Sequence, residues 1–176
     1  MATIKKLRRE EWENYELCFS YSTDGYYSFQ VQKWDFQLIF HPYETVRQNS
    51  FTDRLFSEWV ENPAAFGAFI GEQLAGVIEC SLESWNNRLR ITNLLVYEEY
   101  RRQGLGSLLM SKAFEVGQLS HARMVVLETQ TCNRKAIDFY SKMGFKPIGF
   151  DLYNYTNRDT EKTEVRLEMA KAFSDG

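Results

Sequence analysis

The chain has 176 residues, of which 44% are hydrophobic and 15% aromatic, enough length and apolar mass for one domain around a buried core. Its formal net charge of -3 excludes a dominant nucleic-acid surface, because such binding relies on clustered lysine and arginine to displace counterions. No run approaches the length of a membrane-spanning helix, and the charged segment from Met1 to Glu10 lacks an apolar signal region, so neither membrane insertion nor secretion is expected.

In chain order, Thr3 to Leu7 reads as a short strand, and Glu10 to Phe19 as a helix with Trp12, Tyr15 and Phe19 near helical spacing. Ser20 to Gly25 is turn-rich. Tyr26 to Phe40 is aromatic, with Phe36, Leu38 and Phe40 alternating as in a strand that His41-Pro42 ends. Ser50 to Asn62 gives a second helix, with Phe51, Leu55 and Trp59 at four-residue steps and Asn62-Pro63 closing it. Ala65 to Ile70 and Leu74 to Leu82 form a hairpin about Gly71-Glu72-Gln73, and a turn at Asn86-Asn87 leads into a third strand, Arg88 to Tyr97; such short connections make the three neighbours antiparallel.

A helix then opens at Leu105, with Leu108, Leu109, Ala113 and Val116 on the same face and His121 in the turn that follows. Met124 to Leu127 is continuously apolar, as in a strand buried on both faces, and reaching it through a helix makes it parallel to the strand before. Asn133 to Met143 is a helix capped by Asn133, with Ala136, Ile137 and Tyr140 inward and Gly144 as its stop. Lys146 to Tyr153 and Thr163 to Met169 form a last hairpin across the polar Thr156-Asn157-Arg158-Asp159 connection. The whole is a mixed α/β sheet of six or seven strands, mostly antiparallel, with helices on both faces and one parallel strand-helix-strand crossover. No repeat or linker divides it, so residues 1–176 read as a single domain. Cys18, Cys80 and Cys132 are odd in number and far apart, which fits neither a disulfide framework nor a zinc site and points to a reducing cytoplasm.

The stretch from Leu94 to Met110 carries the most chemistry. A strand ends in a charged turn, Gly104 and Gly106 follow, and a helix begins. The first turn of a helix leaves N–H groups without internal partners at the positive end of the helix dipole, which suits a phosphate. Arg101 and Arg102 can add charge-assisted hydrogen bonds, and glycines without a Cβ let an anion approach the main chain. The spacing is neither that of a Walker loop nor that of the dinucleotide fingerprint. On this motif alone, glycines that only shape a tight turn are an equal reading.

Arg101-x-x-Gly104-x-Gly106 resembles the Arg/Gln-x-x-Gly-x-Gly/Ala signature of the GCN5-related N-acetyltransferases, in which this loop holds the pyrophosphate of acetyl coenzyme A. Downstream, Asn133-x-x-Ala136-x-x-Phe139-Tyr140-x-x-x-Gly144-Phe145 resembles the helix and turn that complete that site. Leu127-Glu128-Thr129-Gln130, Gly149-Phe150-Asp151, Glu79 and Ser84-Trp85-Asn86 look like the corresponding parts of streptothricin acetyltransferases. The likeness is firm from Ala65 to Tyr155 and faint before. It departs at Thr92-Asn93, neutral where that pattern is acidic, which removes a salt-bridge partner for a cationic antibiotic.

The resemblance implies acetyl coenzyme A as co-substrate and no metal. It implies that the cofactor is held by Leu94, Leu95, Val96, Arg101, Arg102, Gln103, Gly104, Leu105, Gly106, Ser107, Asn133 and Tyr140. The Tyr140 phenol would donate to the departing thiolate, and the Val96 amide would face the thioester oxygen where a bulge in its strand frees main-chain groups. Aromatic packing on an inner helix face is the competing reading of Tyr140. An attacking amine must lose a proton; Glu79, inward on an apolar strand, is the first candidate base, with a solvated strand face as the competing reading and Glu83 and Glu128 as weaker alternatives. Tyr21, Tyr26, Tyr27, Phe29 and Trp34 either line a cation-binding wall or belong to the core. The expected acceptor is a small-molecule amine such as a streptothricin, with a polyamine or protein amino group as alternative; a homodimer is common in such a family. A non-catalytic acyl coenzyme A sensor would need neither Tyr140 nor Glu79.

Overall fold

The computed structural model describes residues 2–173. Its elements in order are β1 (Ala2–Leu7), α1 (Arg9–Trp12), β2 (Glu16–Gln32), β3 (Asp35–Arg54), β4 (Ala64–Ile70), β5 (Gln73–Glu83), β6 (Arg88–Val96), a 3-10 turn (Glu98–Tyr100), α2 (Leu105–Leu119), β7 (Met124–Gln130), α3 (Arg134–Lys142), β8 (Lys146–Asp151), α4 (Asp159–Lys162) and β9 (Arg166–Ala172). Seven strands form one sheet in the order β1-β4-β5-β6-β7-β9-β8, while β2 and β3 pair with each other. The β6–β7 pair is parallel, from Arg88↔Met124 to Ile91↔Leu127, and the pairs β1–β4, β4–β5, β5–β6 and β8–β9 are antiparallel. This is the mixed, mostly antiparallel α/β architecture that the sequence predicts, with its single crossover through α2.

Contacts divide the chain into two compact units. One holds Phe51–Leu127 with the segments before Ser20 and after Ala170; the other holds Ser20–Ser50 and Glu128–Ala170. In the first, α2 packs on β4, β5 and β6 and buries Leu105, Leu109, Met110, Ala113 and Gly117. Leu108, expected on that face, is instead 41% exposed. A second cluster of the same unit joins Leu7, Leu17, Leu55, Phe56, Ala65, Val77 and Leu95. In the other unit, β8 and β9 pair, Phe29 stacks on Phe150 with ring centroids 4.0 Å apart, and the short helix α4 begins at Asp159, the last residue of the polar connection between those strands.

Neither expected helix forms over its expected span, and residues 55–62 of the second are turns and bends rather than helix or strand. Only Arg9–Trp12 is helical in the first, and β2 starts at Glu16; β3 runs to Arg54 through the start of the second. The aromatic stretch Tyr26 to Phe40, read as one strand, turns at Lys33 and Trp34 and contributes to both β2 and β3. These residues form a long hairpin whose tip exposes Trp34 at 91%.

Candidate functional site

The start of α2 is built from local chemistry. Gly104 sits at its N-cap with φ +83°, a left-handed conformation that costs a residue with a Cβ but not glycine. No side chain caps the helix; Leu108 N donates to Gly104 O, while the amides of Gly104, Leu105, Gly106 and Ser107 have no hydrogen-bond partner among the described residues. A Cβ built on Gly104 would meet nothing within 4 Å, so no protein atom crowds this residue at the helix start. Unpartnered donors at the positive end of a 15-residue helix can receive an anion.

The loop before it is braced. Arg101 Nε donates to Val96 O at 3.0 Å, and Gln103 Nε2 to Glu99 O at 3.3 Å. Arg101 thus ties the loop to the end of β6, an interaction that the motif does not reveal. Arg102 is exposed in a left-handed conformation with φ +61°. On the other edge of β6, Gly76 lies opposite Val96; a Cβ at Gly76 would come within 2.7 Å of Leu95 O, so glycine permits this close approach.

Glu79 is inward rather than on a solvated face: it is 0% exposed. Its Oε1 accepts from Phe56 N at 2.7 Å, and its Oε2 accepts from Thr92 Oγ1 at 2.7 Å and Asn93 Nδ2 at 3.1 Å. The register of β5 and β6 shifts here, from Glu79↔Asn93 to Cys80↔Ile91, leaving Thr92 as the extra residue of a bulge. Glu83 instead closes the β5–β6 turn. Burial works to raise its carboxyl, but bonds from Arg90, Asn86 and Arg88 outweigh that and hold it below the usual carboxylate range.

Glu79, Val96 and the residues from Arg101 to Ser107 belong to the first unit, Asn133 and Tyr140 to the second. Asn133 caps α3 as its position predicts: its Oδ1 accepts from Ala136 N at 3.3 Å. Tyr140 lies half-buried on α3 between Phe139 and Phe145, with ring centroids 5.5 and 6.0 Å away, and its hydroxyl makes no hydrogen bond among the described residues. Burial pushes its pKa up to about 12, which keeps the phenol protonated at neutral pH. Glu128, on β7, is exposed and ion-paired to Arg166 at 2.7 Å, with the Tyr155 hydroxyl 3.4 Å away.

The aromatic segment separates into several places. Tyr21 is buried, donating to Gln130 Oε1 at 2.9 Å, and Tyr26 stacks between His41 and Tyr43 at 5.1 and 5.2 Å. Tyr27 packs on Phe40, Phe29 on Phe150, and Trp34 is at the hairpin tip. No described helix is long and apolar enough to cross a membrane.

The family model described as "Acetyltransferase (GNAT) family" matches residues 6–145. A streptothricin acetyltransferase of Escherichia coli is 33% identical over 107 residues, an alignment that spans 61% of this chain and only 61% of that protein. The crystal structure of a nourseothricin acetyltransferase superposes with a TM-score of 0.77 at 27% identity, covering 97% of this chain and 98% of the other. A putative streptothricin acetyltransferase of Bacillus anthracis, solved in complex with acetyl coenzyme A, shares the fold with a TM-score of 0.76 at 22% identity, over 99% of this chain and 98% of that one. With a left-handed glycine and unpartnered amides at the start of α2 and a family match over most of its length, the chain belongs to the GNAT acetyltransferase family.

Proposed function

We propose that this chain transfers the acetyl group of acetyl coenzyme A to a primary amine by direct attack in a ternary complex, and that the acceptor is a cationic small molecule of the streptothricin type. The observation that carries the first half is the row of open amides from Gly104 to Ser107 in front of a left-handed glycine. Four N–H groups and the helix dipole suit a diphosphate, and Arg102 adds an exposed positive charge. Leu94, Leu95 and Val96 receive the pantetheine arm, with the Val96 amide aimed at the thioester oxygen as it gains charge. Asn133 joins the cofactor site beyond its capping role. The 176 residues work as one catalytic domain.

The amine nitrogen attacks the thioester carbonyl carbon; the tetrahedral intermediate collapses, the C–S bond breaks and sulfur leaves with the bonding pair. Tyr140 acts here as hydrogen-bond donor to the sulfur, and the proton lost by the nitrogen balances the one gained by the thiol. The thiol's pKa is near 8.5 by analogy with cysteine, so a neutral phenol stabilises the thiolate as it forms. What argues against Glu79 as the free proton acceptor is its complete burial under three donors. Water, or the solvent-reachable Glu128, takes that role instead.

The acceptor class rests on the names of the relatives and on the match over the nourseothricin acetyltransferase structure. The test is release of free thiol from acetyl coenzyme A with streptothricin, spermidine and a peptide α-amine as acceptors, product mass identifying the acetylated amine. Release with streptothricin at a kcat/KM well above the other two supports the reading. Preference for the peptide moves the chain to protein acetylation, and a coenzyme-induced thermal shift without release from any acceptor overturns amine transfer to these classes.

A further inference from the structure

Consecutive residues of a regular strand point to opposite faces of the sheet, so neighbours in sequence cannot ordinarily bond one side chain. Thr92 and Asn93 both do: each donates to Glu79 Oε2, at 2.7 and 3.1 Å. The β5–β6 bulge makes this geometry accessible, because its extra residue re-aims the Thr92 side chain. The other oxygen of the same carboxylate accepts from Phe56 N, at a residue with φ +58° just beyond β3, and Arg9 Nη1 donates to Phe56 O at 3.2 Å. Phe56 in turn is packed in one cluster with Leu95 and Val77.

We infer that Glu79 is a positioning residue: one buried carboxylate fixes the β6 bulge and the Phe56 turn together, and so sets where the main chain of Leu94 to Val96 points. This rests on the proposed acetyl transfer, since that main chain is what holds the thioester. The logic of the donors is specific. Phe56 N–H can only donate, so whatever stands at position 79 must accept there; Thr92 can rotate its hydroxyl and Asn93 can flip its amide to accept instead. Glutamine therefore fits the network with its carbonyl on Phe56 N and its amide nitrogen toward Thr92 and Asn93. Alanine leaves Phe56 N and the Asn93 amide without this acceptor, while the Thr92 hydroxyl keeps only the main-chain oxygen of residue 79, 3.3 Å away, at a cost to folding.

The experiment compares Glu79→Gln, Glu79→Ala, Thr92→Val and Asn93→Leu in the full chain, reading kcat and KM over pH and the thermal shift with acetyl coenzyme A. A clamp predicts that Glu79→Gln recovers kcat to within about threefold of the unsubstituted chain, with a pH profile of unchanged shape. It also predicts that Thr92→Val and Asn93→Leu each lower kcat by about tenfold while the thermal shift persists, because they displace the thioester site and spare the diphosphate site; misplacement on the ångström scale is known to cost up to ~10²-fold. Loss of about 10²-fold or more in Glu79→Gln, with the alkaline rise of kcat/KM abolished, is the signature of a missing general base and overturns the clamp. So do Thr92→Val and Asn93→Leu variants with unaltered kcat. A missing thermal shift in the unsubstituted chain fails the underlying acetyl-transfer reading, and the clamp's role in it, by a readout independent of position 79.

Discussion

Replacing Gly104 with valine isolates the cofactor loop from the rest of the fold. A Cβ at Gly104 meets no atom within 4 Å, so packing is not disturbed and the structural cost is that of holding a β-branched residue at φ +83°. Such backbone strain is about 1–3 kcal/mol, and at roughly 2–4 °C per kcal/mol for a chain of this size the melting temperature without ligand falls by roughly 2 to 12 °C. A ligand at a hundredfold excess over its Kd stabilises by about 2.7 kcal/mol, so acetyl coenzyme A raises the melting temperature of the unsubstituted chain by roughly 5 to 11 °C. On the proposed placement of the diphosphate, the valine side chain in Gly104→Val obstructs the anion's approach to the unpartnered amides, and that rise disappears. The assay is differential scanning fluorimetry with and without acetyl coenzyme A, with circular dichroism to verify that the variant is folded. A folded Gly104→Val chain that keeps the full ligand-induced rise would refute the placement of the diphosphate.

Three further outcomes follow from the geometry. Tyr140→Phe keeps the ring between Phe139 and Phe145 and removes only the hydroxyl, so steady-state kinetics should show kcat lower by about 10²-fold, the low end for a positioned proton donor, while the acetyl coenzyme A thermal shift is retained; unchanged turnover removes Tyr140 from the mechanism. At Asp159, fully buried in the second unit, burial works to raise the carboxyl, but bonds from the Thr156 hydroxyl and the Tyr155 and Thr156 amides outweigh it and hold it low. Its stabilising contribution is therefore present above its ordinary pKa of about 3.9 and lost as pH falls through the lower folded value; melting temperatures between pH 6 and 3 should fall less steeply for Asp159→Asn, and an identical slope contradicts this. Finally, Cys18 is exposed, whereas burial pushes the Cys80 thiol up to about 12 and raises that of Cys132, so iodoacetamide at neutral pH should label Cys18 alone until the chain is unfolded, as read by peptide mass.

The second half of the chain was legible because its signals are local. Gly104 needs its left-handed backbone, Asn133 caps the helix it precedes, Gly144 follows α3 at φ +90°, and the continuous apolar run of β7 marks the parallel neighbour of β6. The hairpin of β2 and β3 was not legible, for a reason visible in the spacing that misled. Residues four apart share a face in a helix and also in a strand, so Phe51 and Leu55, or Tyr15 and Phe19, satisfy both periods. In the structure Phe19 and Phe51 stack across the two strands with centroids 4.6 Å apart, a pairing that sequence spacing within either segment does not contain. The meeting of Glu79 with Thr92, Asn93 and Phe56 was hidden in the same way. It depends on strand register and on a one-residue bulge, neither of which leaves a mark in the order of residues, although a carboxylate within the apolar run from Leu74 to Ile78 and beyond was the signal that something polar had to meet it.

The most direct measurement is a backbone-amide NMR titration of the isotopically labelled chain with acetyl coenzyme A. The amides of Gly104, Leu105, Gly106 and Ser107 should show the largest shift changes, with downfield proton movement as they donate to a diphosphate, and the Leu94 to Val96 amides should move with them. Saturable binding that perturbs other regions while those four amides stay in place would contradict the account.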